Sequence, residues 1–188
     1  MLRSTERIFF AGAILLLGYC GFVVTDAWVF QRYQKARLDV VFQPSAVHFT
    51  PAVIPDGLIG RIEISRLGIS VVFVEGTADR ALGRAAGHIV GTALPGQIGN
   101  VGIAAHGDTF FRPLKDVRPD DVITVTTFGG EYRYRTISTK VVSPTDVGVL
   151  SSDGNEVLTL VTCYPFYFVG PAPRRFVVRA EKIPSVTN

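Results

Sequence analysis

Hydrophobic and polar positions divide the chain into three stretches. From residue 8 to residue 24 (IFFAGAILLLGYCGFVV) no charge interrupts an apolar run, and Ala27-Trp28-Val29-Phe30 prolong it past Asp26. A helix needs roughly 20 apolar residues to cross a hydrocarbon core, so residues 8–30 predict a transmembrane helix, with Trp28 suited to the headgroup interface. Residues 31–41 can continue that helix, with Tyr33, Ala36 and Val40 on one side. Between 42 and 55 the character changes. Pro44, Pro51 and Pro55 favour extended backbone, which predicts a stalk holding the following domain on the order of a few tens of ångströms off a membrane, with His48 as a solvated linker residue.

From residue 56 onward the pattern is strand and turn. Residues 58–65 (LIGRIEIS) alternate apolar and polar, Gly68 marks a turn, and 69–74 (ISVVFV) return. Residues 78–82 predict a short helix, and Gly83, Gly87, Gly91 and Pro95-Gly96 limit how far helix can run. Residues 100–105 read as a strand, and 109–115 as one helical turn capped by Asp108 or Thr109. Pro119-Asp120 is a turn before a strand at 122–127. Gly129-Gly130 then make a hairpin into 132–142, whose imperfect alternation predicts a bulge. After a loop at 143–156, residues 157–162 are apolar and β-branched and read as a buried strand, and 176–180 as the last one. About eight short strands with little helix predict an all-β fold, a closed barrel rather than an open sheet.

Composition narrows the classes. The 188 residues are 47% apolar with a net charge of +3, which excludes a disordered chain. Basic residues are scattered, without the stripe or aromatic interleaving that nucleic acid requires. Cys20 lies inside the apolar run, so pairing with Cys163 is not expected and Cys163 stays a free thiol. A cleaved signal peptide lacks a small-x-small site, and Tyr19 before Cys20 spoils a lipoprotein site. A retained signal anchor fits best. Arg3 and Arg7 before the span nearly balance Arg32, Lys35 and Arg37 after it. The N-terminus is placed inside because this puts the large domain outside.

Candidate chemistry centres on Cys163, where the strand 157–162 runs out and Pro165 stops the ladder. A cysteine at a strand end can be held rigidly and still be reached, although a lone cysteine is as often a small buried hydrophobe. A reactive thiol needs a neighbouring base or cation. His106 ends the strand VGIAAH and is preferred; His88, in a glycine-flanked loop, reads as a structural histidine. Acyl chemistry also needs a group that stabilises an oxyanion, and Arg174-Arg175 immediately precede the last strand. The acids Asp146, Asp153 and Glu156 read as solvated turn residues, and no metal is predicted.

Strand-ending His106, Thr159-Leu160-Val161-Thr162-Cys163 and Arg175-Phe176-Val177-Val178-Arg179 resemble the three signature segments of the sortases, membrane-anchored cysteine transpeptidases of bacteria. Residues 87–100 also look like the family's segment before its histidine strand. The likeness covers roughly residues 57–182. It implies an eight-stranded sortase-type β-barrel at 56–183, behind a cytoplasmic N-terminus (1–7), a transmembrane signal anchor (8–30) and an extracytoplasmic stalk (31–55), with a tail at 184–188. It implies that Cys163 attacks an LPxTG-like sorting signal after its threonine, forming a thioacyl intermediate. His106 would be general acid and base, Arg175 would stabilise the oxyanion or position substrate, and Thr162 and Ala105 would contact substrate. Arg175 is preferred to Arg174 because the family's arginine directly precedes the apolar strand. The implied partners are secreted proteins with a C-terminal sorting signal and an amine acceptor, a peptidoglycan precursor or a pilin lysine; no step needs a cofactor.

The short Cys163–Arg175 spacing and the lack of a lid segment resemble class D. One departure is Ala105-His106-Gly107, where members usually have a triplet like Gly-His-Arg. Three rival readings are weighed against this. An L,D-transpeptidase-type acyl-transferase would want a histidine within a few residues of the cysteine. A non-catalytic anchored barrel would have lost thiol reactivity. An envelope redox protein would want a second domain cysteine.

Overall fold

The structure, a computed structural model, describes residues 2–41, 57–168 and 170–184. The segment 42–56, with the predicted stalk and His48, and residues 185–188 of the predicted tail lie outside the described residues. The first element is α1 (Leu2–Val41), unbroken through the apolar run and the first part of the predicted stalk. It is long and apolar enough to cross a membrane within Glu6–Ala36. Residues 6–24 have exposed side chains, as lipid-facing residues should.

The remainder is a closed barrel. Its strands are β1 (Leu58–Ile64), β2 (Ile69–Glu75), β3 (Ala86–His88), β4 (Gly99–Ala104), β5 (Val122–Thr127), β6 (Gly130–Val142), β7 (Glu156–Tyr164) and β8 (Arg174–Lys182). They close in the order β1-β2-β3-β4-β7-β8-β6-β5. The pairs β2–β3 and β4–β7 are parallel and the others antiparallel. The only α-helix among the described barrel residues is α2 (Asp79–Leu82), and short 3-10 turns lie at Ser65–Leu67, Arg112–Asp116 and Val147–Leu150. The bulge expected in β6 sits at Ile137, where the register against β8 shifts between Thr136 and Ser138.

Alternation aims one face of each strand into the barrel. Ile62, Ile64, Val71, Phe73, Val101, Ile103, Ile123, Val125, Leu158, Leu160 and Val178 form one core, stoppered by Phe111 and Leu114 from the β4–β5 connection. Each such side chain contributes about 1.5–3 kcal/mol through burial.

Four boundaries differ from the sequence expectation. Strand β3 was expected to be loop: Ala-Gly-His lacks the β-branched signature, and only pairing with β2 and β4 makes it a strand. Strand β7 continues through Cys163 to Tyr164, because β8 supplies ladder partners to its end. For the same reason β8 begins at Arg174, so both arginines belong to the strand instead of preceding it. The helical turn near 109–115 is a 3-10 turn starting at Arg112, with no side-chain cap.

The barrel is not set apart from α1. Asp26 pairs with Arg84 at 2.6 Å, Gln31 donates to the Arg84 carbonyl at 2.8 Å and accepts the Val72 amide at 3.0 Å. Phe30 packs on a patch made by Leu58, Val72, Val74 and Ala85. Contact therefore begins just beyond the uncharged run.

Asp121 ties the start of β5 to the β1–β2 turn: Arg66 donates to both its oxygens and the Arg118 amide adds a bond at 2.8 Å. The Arg66 fork holds this carboxyl below the usual carboxylate range; burial opposes the shift. A carboxyl depressed by folding adds stability above its unfolded value, about 3.9, and that contribution fades as pH falls through the lower folded value. The urea midpoint of the wild type should therefore fall below about pH 4 more steeply than that of Asp121→Asn. Parallel curves would show that Asp121 carries none of the acid sensitivity.

Candidate active site

The site is a row of side chains running across three neighbouring strands. On β7, Leu158 and Leu160 point into the core, so Val161 and Cys163 point outward. On β8, Val178 and Ala180 point inward, so Arg175, Val177 and Arg179 point outward, and Cys163 pairs directly with Arg175. On β4, Val101, Ile103 and Ala105 point inward and Ala104 pairs with Val161. The chain stays in register past the end of β4, since the Ala105 amide donates to Val161 at 3.2 Å. His106 thereby falls beside Cys163 and opposite Arg175 across it, on the outer face. Cys163, His106 and Arg175, far apart in sequence, are brought together by the ladder.

Close packing fixes the histidine loop on the cysteine strand. A Cβ at Gly107 would lie 2.8 Å from the Cys163 carbonyl oxygen and 3.0 Å from Thr162 Oγ1. Only glycine lets the loop approach this closely, which accounts for Gly107 in the unusual Ala-His-Gly triplet. Thr162 Oγ1 donates to the Ala105 carbonyl at 2.7 Å. Thr162 and Ala105 are 2% and 4% exposed. Their side chains face the barrel interior, where they join β7 to the histidine loop.

Cys163 and His106 are half-buried, and among the described residues no hydrogen bond engages the thiol or the ring. Both are open to an incoming group. Arg175 Nη1 donates to the Ala172 and Arg174 carbonyls at 3.0 Å each, which holds the guanidinium in place and, among the described residues, leaves its other donors uncommitted. Arg174, paired with Tyr164, sits on the alternate face and is exposed. Beneath the row, Tyr164, Phe166 and Phe176 pack with centroid distances of 5.2–6.4 Å and plug that end of the barrel. Arg112 lies 4.9 Å over the Tyr167 ring, linking the segment after His106 to the β7–β8 loop.

A cleft of about 300 Å³ lies along β8 and β6, between Val177, Arg179, Lys140 and Val142 and the β6–β7 loop at Asp146 and Val149; Cys163, His106 and Arg175 do not line it. That loop is clamped by Asn100, which donates to the Val149 and Ser151 carbonyls at 3.2 and 3.3 Å and accepts from Thr159 at 2.8 Å. Sequence reading missed Asn100; its signal is a polar residue inside an apolar strand. Asp153 pairs with Arg179 and Glu156 with Lys182. His88 is buried in β3, away from the row, with both ring nitrogens bonded.

A thiol, an imidazole and a fixed guanidinium at neighbouring positions supply a nucleophile, a proton carrier and an anion clamp, the groups acyl transfer needs.

Comparison with known proteins agrees with this architecture. Residues 62–183 match the sortase domain family. Sortase D of Bacillus subtilis (strain 168) is 30% identical over 125 residues, 66% of this chain and 63% of that protein, so the chain spans less than two thirds of this relative's length. Among solved structures, a Clostridium perfringens sortase D5 transpeptidase superposes with a TM-score of 0.62 at 30% identity, over 68% of this chain and 79% of the other. Sortase A from Corynebacterium diphtheriae gives 0.65 at 32% identity, over 70% and 63%. With the closed barrel, its strand order and the match over most of its length in agreement, the chain belongs to the sortase family and is class D-like.

Proposed function

We propose that this protein is a membrane-anchored cysteine transpeptidase that joins secreted proteins to an amine of the cell envelope. Cys163 is the nucleophile. Its sulfur attacks the carbonyl of the threonine in an LPxTG-like signal; the amide C–N bond breaks and a thioester forms. His106 gives a proton to the departing amine and later takes one from the incoming amine, whose nitrogen displaces the sulfur and forms a new amide. Arg175 faces the oxygen that becomes negative in each tetrahedral intermediate; an arginine is charged at any relevant pH, so it needs no proton transfer to do this. The acceptor is a primary amine, from a peptidoglycan precursor or a pilin lysine. Helix α1 is the single-pass anchor, with the barrel on the extracytoplasmic side.

The observation that supports this reading is the register that sets Cys163 directly beside Arg175, with the loop carrying His106 packed against the Cys163 carbonyl. The test is to incubate the full chain in detergent with a library of LPxTG-like peptides and an amine, and to read acyl products by mass spectrometry. Products cut after threonine and carrying the amine are expected. A library left intact, with Cys163 never acylated, would refute the proposal.

A further inference from the structure

Strand β4 delivers His106, yet its edge toward β3 is hardly a ladder. Only Gly87–Ala104 and His88–Ile103 pair there. Further back, the turn that follows β3 takes over. The Ile89 amide donates to the Gly102 carbonyl at 2.8 Å and the Ala93 amide to the Asn100 carbonyl at 3.0 Å. The Gly102 amide has a side-chain partner instead: it donates to Thr92 Oγ1 at 3.1 Å. A Cβ at Gly102 would meet Thr92 Cγ2 at 3.0 Å and Leu150 Cδ2 at 3.1 Å, so the turn and the β6–β7 loop close together over this glycine.

His88 staples the turn. It is 3% exposed, with Nδ1 3.0 Å from Glu75 Oε2 and Nε2 3.0 Å from both the Ala93 carbonyl and Thr92 Oγ1. The Ala93 carbonyl can only accept, so Nε2 donates to it. The single Thr92 hydroxyl hydrogen goes to the Ile89 carbonyl at 2.7 Å, so toward His88 that oxygen also accepts. Nδ1 faces the Glu75 carboxyl, so the ring joins β2 to the turn after β3.

We propose that His88 is a positioning residue for the reaction assigned above: with Glu75 it fixes the Thr92 hydroxyl, and through the Gly102 amide it sets the end of β4 that presents His106 to Cys163. This rests on the reading of His106 and Cys163 as a reacting pair. The chain of contacts is ring to hydroxyl to amide to strand, and a displacement of about 1 Å in a reacting group can cost up to 100-fold in rate.

The test uses the full chain in detergent micelles. His88→Ala should slow iodoacetamide alkylation of Cys163 while circular dichroism shows the barrel still folded; a folded His88→Ala variant alkylated at the wild-type rate would overturn the proposal without any substrate. Thr92→Val, nearly isosteric but without the hydroxyl, should lower kcat per titrated active site about tenfold with KM within about twofold, and slow iodoacetamide alkylation of Cys163 in parallel. Thr92→Ser should restore both. A purely structural role would lower the titratable fraction and leave the rate per site unchanged, and that result would also overturn the proposal. The alkylation readout is independent of the peptide, so a failed transpeptidase assignment remains distinguishable from a failed positioning role.

Discussion

Cys163→Ala is expected to abolish acyl transfer, and His106→Ala to lower it by at least about 10³-fold, with both variants folded. The two losses have different origins. Without the sulfur no thioester can form, and no other cysteine lies in the barrel. Without the imidazole the amine must leave as an unprotonated anion, which is prohibitive near neutral pH. The fold should survive because both side chains point outward from the wall and are half-buried, so truncation opens no cavity in the core formed by Leu158, Leu160 and Ile103. Surface changes of this kind shift stability by about 0.5 kcal/mol or less. The measurement is single-turnover cleavage of a labelled sorting peptide beside a thermal melt. Cleavage at the wild-type rate by either variant would sink the assignment.

Arg175→Ala is expected to cost about 10²–10³-fold in kcat, the scale of losing one oxyanion donor, while Arg174→Ala stays within about threefold. The asymmetry follows from strand alternation. Arg175 shares the outer face with its partner Cys163, and the Ala172 and Arg174 carbonyls hold its Nη1. Arg174 pairs with Tyr164 and belongs to the other face. Arg175→Lys should recover little, because a flexible point charge cannot hold the Ala172 and Arg174 carbonyls and face the oxyanion together. Equal losses from the two alanine variants would mean that no single guanidinium has the role.

Much of the architecture is written in local pattern. Alternation in LIGRIEIS, the Gly68 turn and the Gly129-Gly130 hairpin are short-range signals, and β1, β2, β5 and β6 lie where those signals put them. Even the β6 bulge was readable, since a slip in alternation must be absorbed somewhere. Strand β3 was not. Nothing in Ala86-Gly87-His88 favours extended pairing until β2 and β4 stand on either side, and a three-residue strand has too little intrinsic preference to announce itself.

The residue types of the site were legible for a similar reason: a cysteine, a histidine and an arginine at the edges of apolar strands are chemically conspicuous. Their faces were not. Thr162 and Ala105, expected at the substrate, point into the barrel, because register against β8 and β4 decides which parity faces out. The packing of Gly107 against the Cys163 carbonyl could not be recognised before the neighbouring strand was known, and Asn100, conspicuous only as a polar residue in an apolar strand, gave no hint of its hold on the β6–β7 loop. By itself the sequence determined the apolar anchor, most strands and the three reactive groups, since these depend on side-chain chemistry and nearest neighbours along the chain. Only the tertiary structure decided that the groups share one row and that the barrel rests against its own helix, because strand register and helix docking are set by partners distant in sequence.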